Sequence, residues 1–239
     1  MYRILRIRQS NTSIIIILLL LCSCSYSSSR VTVNLIGDRE QIFNGDIKAQ
    51  LNIKDLKKEA KRLYGIGPVS KLQGEITVIE KPYISRVIDG ELIIDNNWDR
   101  EAIFFVYSYV DKWKTLNHSQ VLYKNREELE KYLTELIKKE NYKSKNIPVL
   151  IEAEAKTLVY HIMNKTNSLA HNKKEHQKAK HIIELKNTPI KLLAFYSEDS
   201  DPSFSHGKFH FHFISDDKKY SGHLDSFSDL DIRQILLPE

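Results

Sequence analysis

Three of the nine histidines fall in one short alternating segment, FHFHFISDDKKYSGH, Phe209 to His223. In an extended strand, residues two apart share a face. His210 and His212 therefore point one way, and Phe209, Phe211 and Phe213 the other. A two-residue turn at Asp216-Asp217 pairs Ser215 with Lys218 and sets His210 opposite His223, on one face, with Cβ atoms about 5 Å apart. Three neutral imidazoles with a coordination position left for water or substrate is how catalytic zinc is commonly held. The bland alternative is three His on a wet hairpin face, or one of them in a polar core network. A bulge or an odd-length loop would carry His223 to the opposite face.

The elements that must position this hairpin are mostly strands. Val69 to Ile94 reads as strands with a turn at Asp89-Gly90, and Ala102 to Val110 as a largely buried aromatic strand. Pro148 to Met163 and Ile190 to Tyr196 are strands, and Lys208 to Leu224 is the hairpin itself. Asn125 to Asn141 is the clearest helix, with Asn125 at the N-cap. Its apolar stripe is Leu129, Tyr132, Leu133, Leu136 and Ile137. Ile53 to Leu63 reads as a shorter helix, ended by Gly65, Gly67 and Pro68. His171, His176 and His181 recur every five residues, which turns them about 140° apart on a helix, so this stretch reads as a solvated loop or helix face. The fold class expected is α+β, a mixed or antiparallel β-sheet domain with a few inserted helices and a zinc site on a β-hairpin.

At 239 residues the chain is long enough for a real core, and two Cys cannot make a disulfide framework. The net charge of +5 owes much to Arg3, Arg6 and Arg8; without them the basic residues nearly balance the 31 acidic ones, and nothing in the composition calls for nucleic acid. Those arginines precede the apolar run Ile14 to Leu21, far short of the roughly 20 residues that span a bilayer, so residues 1–23 read as an export signal. Leu21-Cys22-Ser23-Cys24 resembles the lipobox of bacterial lipoproteins, which makes Cys24 the lipidation site of an exported, membrane-anchored protein. Residues 24–43 then form a tether, with the domain at 44–239.

The hairpin segment HFHFISDDKKYSGHLDSF also resembles the zinc-binding segment of α-acetolactate decarboxylases, where H-x-H-F-x-x-D-D and a following G-H supply three His ligands. YGIGPVSKLQGEITV, Tyr64 to Val78, is similar to that family's G-x-G-x-x-x-x-L-x-G-E segment, and LLAFYS, Leu192 to Ser197, to the strand before its zinc loop. The resemblance implies zinc bound by His210, His212 and His223, Glu75 as the active-site carboxylate, and decarboxylation of a small 2-hydroxy-3-keto acid, 2-acetolactate, to acetoin. A homodimer is possible on the same resemblance. Taken alone, Glu75 reads as a surface carboxylate after the Gly74 turn. The family has an Arg where this chain has Asn164, which cannot grip a carboxylate in its place, so His161, His206 and Lys208 are the candidates for substrate binding. The family's Glu from a C-terminal extension also finds no match. Two other readings stay open: a non-catalytic metal-binding surface lipoprotein, and a zinc hydrolase of another small substrate.

Overall fold

The structure is a computed structural model that describes residues 31–116, 121–164, 172–203, 205 and 207–239. Cys24 with the signal segment 1–23, His171 and His206 lie outside the described residues. In chain order the elements are β1 (Val33–Ile36), α1 (Arg39–Phe43), β2 (Leu51–Asn52), a 3-10 helix (Ile53–Arg62), β3 (Leu63–Pro68), β4 (Glu75–Ile79), β5 (Lys81–Ile88), β6 (Glu91–Asp95), β7 (Glu101–Ala102) and β8 (Phe105–Tyr109). They continue with β9 (Trp113–Leu116), β10 (Val121–Tyr123), α2 (Arg126–Glu140), β11 (Asn146–Met163), α3 (Lys173–Lys178), β12 (Lys180–Ser197), β13 (Phe209–Ser215) and β14 (Ser221–Pro238).

Two antiparallel sheets carry the molecule, as the α+β expectation requires. The first runs β1-β8-β3-β4-β5-β6. The second runs β10-β14-β11-β12-β13, with β9 on β14 and a further pairing of β13 with β14 that closes β11 to β14 into a ring. The alternation of β13 decides how the sheets meet. Phe209, Phe211 and Phe213 turn into the larger core, which also holds Leu129, Leu133 and Ile137 of α2. The opposite face of β13, with His210 and His212, turns toward the first sheet, where Thr77 of β4 touches His212.

The helix expected at Asn125 to Asn141 is α2. The Asn125 side chain accepts from the Glu128 N–H, and Asn141 closes the helix in the left-handed region. Two expectations need correction. The segment Ile53–Arg62 is a 3-10 helix kinked at Glu59, with Ile53 its one buried residue, because a single apolar anchor does not hold an amphipathic α-helical face against the body. Residues 33–43, expected inside the tether, belong to the folded body: Val33–Ile36 pairs with β8, and Ile42 is buried in the core. A four-residue strand and a five-residue helix are too short for periodicity to reveal, and their partners lie far along the chain.

Leu133 is fully buried between α2 and the second sheet. Leu133→Ala should cost about 2–5 kcal/mol, the usual range for a truncated core Leu, read as a lower denaturation midpoint at unchanged slope in urea.

Candidate metal centre and its cavity

The hairpin that brings the histidines together turns differently from the expected one. Ser215 N–H donates to the Tyr220 carbonyl at 2.9 Å, so the loop is four residues, Asp216 to Lys219, not the two-residue turn at Asp216-Asp217. Ser215 Oγ donates to Asp217 at 2.6 Å and accepts from the Tyr220 N–H at 3.0 Å, which ties the wider loop internally. The register becomes His212 opposite His223. A shift of two residues keeps every side chain on its face, so the convergence survives although His223 faces His212 rather than His210. His210 is reached diagonally, its Nε2 3.1 Å from His223 Nδ1.

The ligating atoms of His210, His212 and His223 all lie within 4.8 Å of one another. Burial holds the His212 and His223 imidazoles well below their ordinary range, and the neighbouring histidines push the same way. They are thus neutral with lone pairs to give, the state a metal ligand needs. Thr77 Oγ1 lies 3.0 Å from His212 Nδ1 and itself accepts from Ser221 Oγ at 3.1 Å. His212 Nε2 is buried with no hydrogen-bond partner among the described residues. A fully buried ring nitrogen left in that state costs free energy unless something binds it. The donor set and this orphaned nitrogen fit a metal ion: the group could hold one.

Glu75 is not the surface carboxylate that its local sequence suggests. It is 3% exposed, and its Oε2 sits 3.8 Å from His212 Nε2. Gly74 makes the entry possible: its φ of +141° is one that L side chains rarely adopt, and a Cβ there would meet the Ser85 carbonyl at 2.4 Å. Glu75 and Thr77 then share the face of β4 that meets the histidines. Burial pushes the Glu75 carboxyl up to about 8, against a hydrogen bond from the Met163 backbone and the charge of Lys180.

These groups open on a cavity of about 460 Å³ that is lined by Glu75, His161, His210 and His223 and also by Arg39, Arg126, Lys180 and Asp225. Of the three residues considered for substrate binding, His161 is in place, its ring centroid 4.6 Å from that of His223. Lys208 is half-buried and does not line the cavity, and His206 lies outside the described residues. His176, from the stretch read as solvated, lies in α3 and reaches the cavity beside Phe43, whereas His181 is exposed on β12.

Several residues here escaped the sequence reading. Asp225 could have been found, since it follows His223 by two and must share its face. Its two carboxylate oxygens lie 2.8 and 2.9 Å from His161 Nδ1, and His161, His223 and Asp225 form a second group with ligating atoms within 4.8 Å. Arg126 opens α2 and donates from Nη1 to the Leu224 carbonyl at 3.2 Å and from Nη2 to the Phe209 carbonyl at 3.0 Å, bonding to both hairpin strands next to their histidines. No local signal marks Arg126, Lys180 or Arg39, because their places depend on long-range pairing.

The comparisons with known proteins agree with this geometry. The family profile described as alpha-acetolactate decarboxylase matches residues 36–235. The fold is similar to the crystal structure of alpha-acetolactate decarboxylase from Bacillus subtilis strain 168, with a TM-score of 0.69, 16% identity, and 87% of this chain and 86% of that one covered. It is also similar to a Staphylococcus aureus protein of unknown function described as similar to alpha-acetolactate decarboxylase, with a TM-score of 0.66, 16% identity and coverage of 87% and 86%. Acetolactate decarboxylase from Bacillus subtilis subspecies spizizenii matches with a TM-score of 0.67 at 17% identity over 87% of this chain and 86% of that chain. Among curated protein sequences, none matches the chain. With the family profile spanning most of the sequence, the chain belongs to the alpha-acetolactate decarboxylase family.

Proposed function

We propose that the protein is a zinc-dependent decarboxylase that converts 2-acetolactate, or a close 2-hydroxy-3-keto acid, to the corresponding hydroxyketone. One observation carries the reading: a buried carboxyl, Glu75, stands 3.8 Å from the orphaned nitrogen of the three-histidine group. His210, His212 and His223 would hold the zinc. A bound zinc supplies Lewis acidity toward the hydroxyl and carbonyl oxygens of the substrate.

The remaining work falls to the side chains. Cleavage of the carbon–carboxylate bond releases CO₂ and leaves its electron pair on the former α-carbon, which must then gain one proton. Glu75 would give it, and burial, which pushes its carboxyl up to about 8, supports that role. Thr77, with Ser221 behind it, fixes the His212 ring so that Nε2 faces Glu75. The apolar side chains of Phe104, Leu72 and Met163 line the same cavity and limit the entry of water.

The metal part of the proposal predicts about one zinc per chain, measured by elemental analysis after purification with zinc. The His210→Ala/His212→Ala double variant should lose it, because one remaining imidazole cannot hold the ion. Unchanged stoichiometry in that variant would remove the hairpin from consideration.

The catalytic part predicts that Glu75→Gln keeps zinc but lowers acetoin formation on the order of 10²- to 10⁴-fold, the usual contribution of a positioned acid. The sign of the pH dependence follows from the same role. The active form is protonated, so the wild-type rate should fall as pH rises through the Glu75 pKa, which is about 8 from burial. A dication beside the carboxyl moves that fall to lower pH. Wild-type turnover in Glu75→Gln would refute the role.

The N-terminal segment carries a separate proposal, that Cys24 is lipidated and anchors the protein to the cell envelope. Mass spectrometry of membrane-extracted protein should find an acylated N-terminal Cys24; an unmodified N-terminus in the soluble fraction would overturn this.

A further inference from the structure

Beside the three histidines stands a set of polar groups that the proton-transfer step does not use. His161 belongs to β11, Asp225 to β14 and Lys180 to the first position of β12. The His161 Nδ1 contacts to Asp225 have been given; Lys180 Nζ approaches the same carboxylate at 3.6 Å, with its side chain 16% exposed. Lys180 lies directly across from Met163 in the β11–β12 register. The Met163 backbone hydrogen-bonds to Glu75, and the Lys180 charge acts on that carboxyl. An ammonium has three donors, and the Asp225 carboxylate serves His161 as well as Lys180.

The other cations of the cavity are committed elsewhere. Arg126 gives Nε to Glu130 at 2.6 Å and its other nitrogens to the Leu224 and Phe209 carbonyls, and its guanidinium covers the Phe211 ring. Arg39 and Lys173 both lie over the Phe43 ring, at 5.1 and 5.8 Å from its centroid. Asn164, which stands where the family has an Arg, is not among the residues lining the cavity.

We propose that Lys180, held in place by Asp225 and His161, binds the carboxylate of the substrate. The proposal rests on the decarboxylase reading for the identity of that substrate. It gives the task of the missing Arg to a residue on a different strand, brought to the cavity by the β11–β12 pairing. Lys180 is the substrate-binding group, and Asp225 and His161 are positioning residues, since they act on the substrate through Lys180.

The test uses zinc-loaded full chain and two unreactive probes, 2-hydroxyisobutyrate and its neutral amide, with binding followed by isothermal titration calorimetry. Wild type should prefer the acid. Lys180→Met should weaken acid binding on the order of 10- to 100-fold, the range for one lost charge-assisted hydrogen bond, and leave amide binding and zinc content unchanged. Lys180→Arg, which keeps the charge and the strand, should retain most of the preference. Equal acid affinity in Lys180→Met and wild type, or no acid binding by wild type at millimolar concentration, overturns the proposal. The two readings fail separately. If Lys180-dependent acid binding is present but wild type releases no CO₂ from acetolactate, the reaction is wrong and the anion site stands. If both wild type and Lys180→Met form acetoin with the same KM, the anion site is wrong and the reaction stands.

Discussion

His212 is wholly buried where β13 of the second sheet meets β4 of the first, and a buried imidazole loses free energy unless both ring nitrogens find partners. The fold answers for one of them. Thr77 Oγ1 can accept from Nδ1–H while it also accepts from Ser221, since a hydroxyl oxygen offers two lone pairs. That arrangement turns the lone pair of Nε2 toward Glu75 and leaves it without a hydrogen-bond partner among the described residues. The two sheets therefore meet with this nitrogen 3.8 Å from the Glu75 carboxyl. His210 and His212 lie on β13 and His223 on β14, so an ion held by the three would staple those two strands together.

The same constraint explains how little freedom the hairpin has. One edge of β13 is fixed by β12, and the other by three residues of β14 that begin at Ser221. Gly222 lets that junction close, because a Cβ there would meet the Tyr160 ring at 2.8 Å and the His161 carbonyl at 2.9 Å. Arg126 then bonds to carbonyls on both strands, with its guanidinium over Phe211. A glycine and an arginine far apart in sequence thus set where His210 and His223 stand. The phenylalanines on the other face provide the burial that makes this arrangement stable.

How much of this could be read from the chain alone depended on the range of the interaction. The face of each hairpin residue was legible because strand alternation is local, and it survived a wrong turn length because the error was an even number of residues. The N-cap of α2 was legible for the same reason. Glu75 was singled out through the family resemblance and not through its neighbours, since Gly74 followed by Glu75 looks like any surface turn until Ser85 and the histidines are packed around it. The cavity cations were invisible. Lys180 faces Met163 through a pairing of two 18-residue strands, and no pattern within either strand announces that register. α1 was hidden in the expected tether because five residues hold too few turns to show a period.

Lysine and arginine near a carboxyl ordinarily favour its ionised form, yet burial prevails at Glu75. The cations explain this. Lys180 is partly offset by Asp225, whose own charge disfavours ionisation of Glu75. Asp225 therefore both holds Lys180 and weakens its pull on the acid. A dication at the histidines would upset this balance and draw the proton from Glu75, by about 4 kcal/mol for each unit charge at 4 Å in an effective dielectric of 20. On the proposed reading, an anionic substrate restores part of it. Its carboxylate brings one negative charge next to Lys180, offsets part of the added positive charge, and favours retention of the proton on Glu75 until CO₂ has left. On that reading the electron pair stays behind on carbon, and Glu75, the lining carboxyl that burial pushes up, would give the proton.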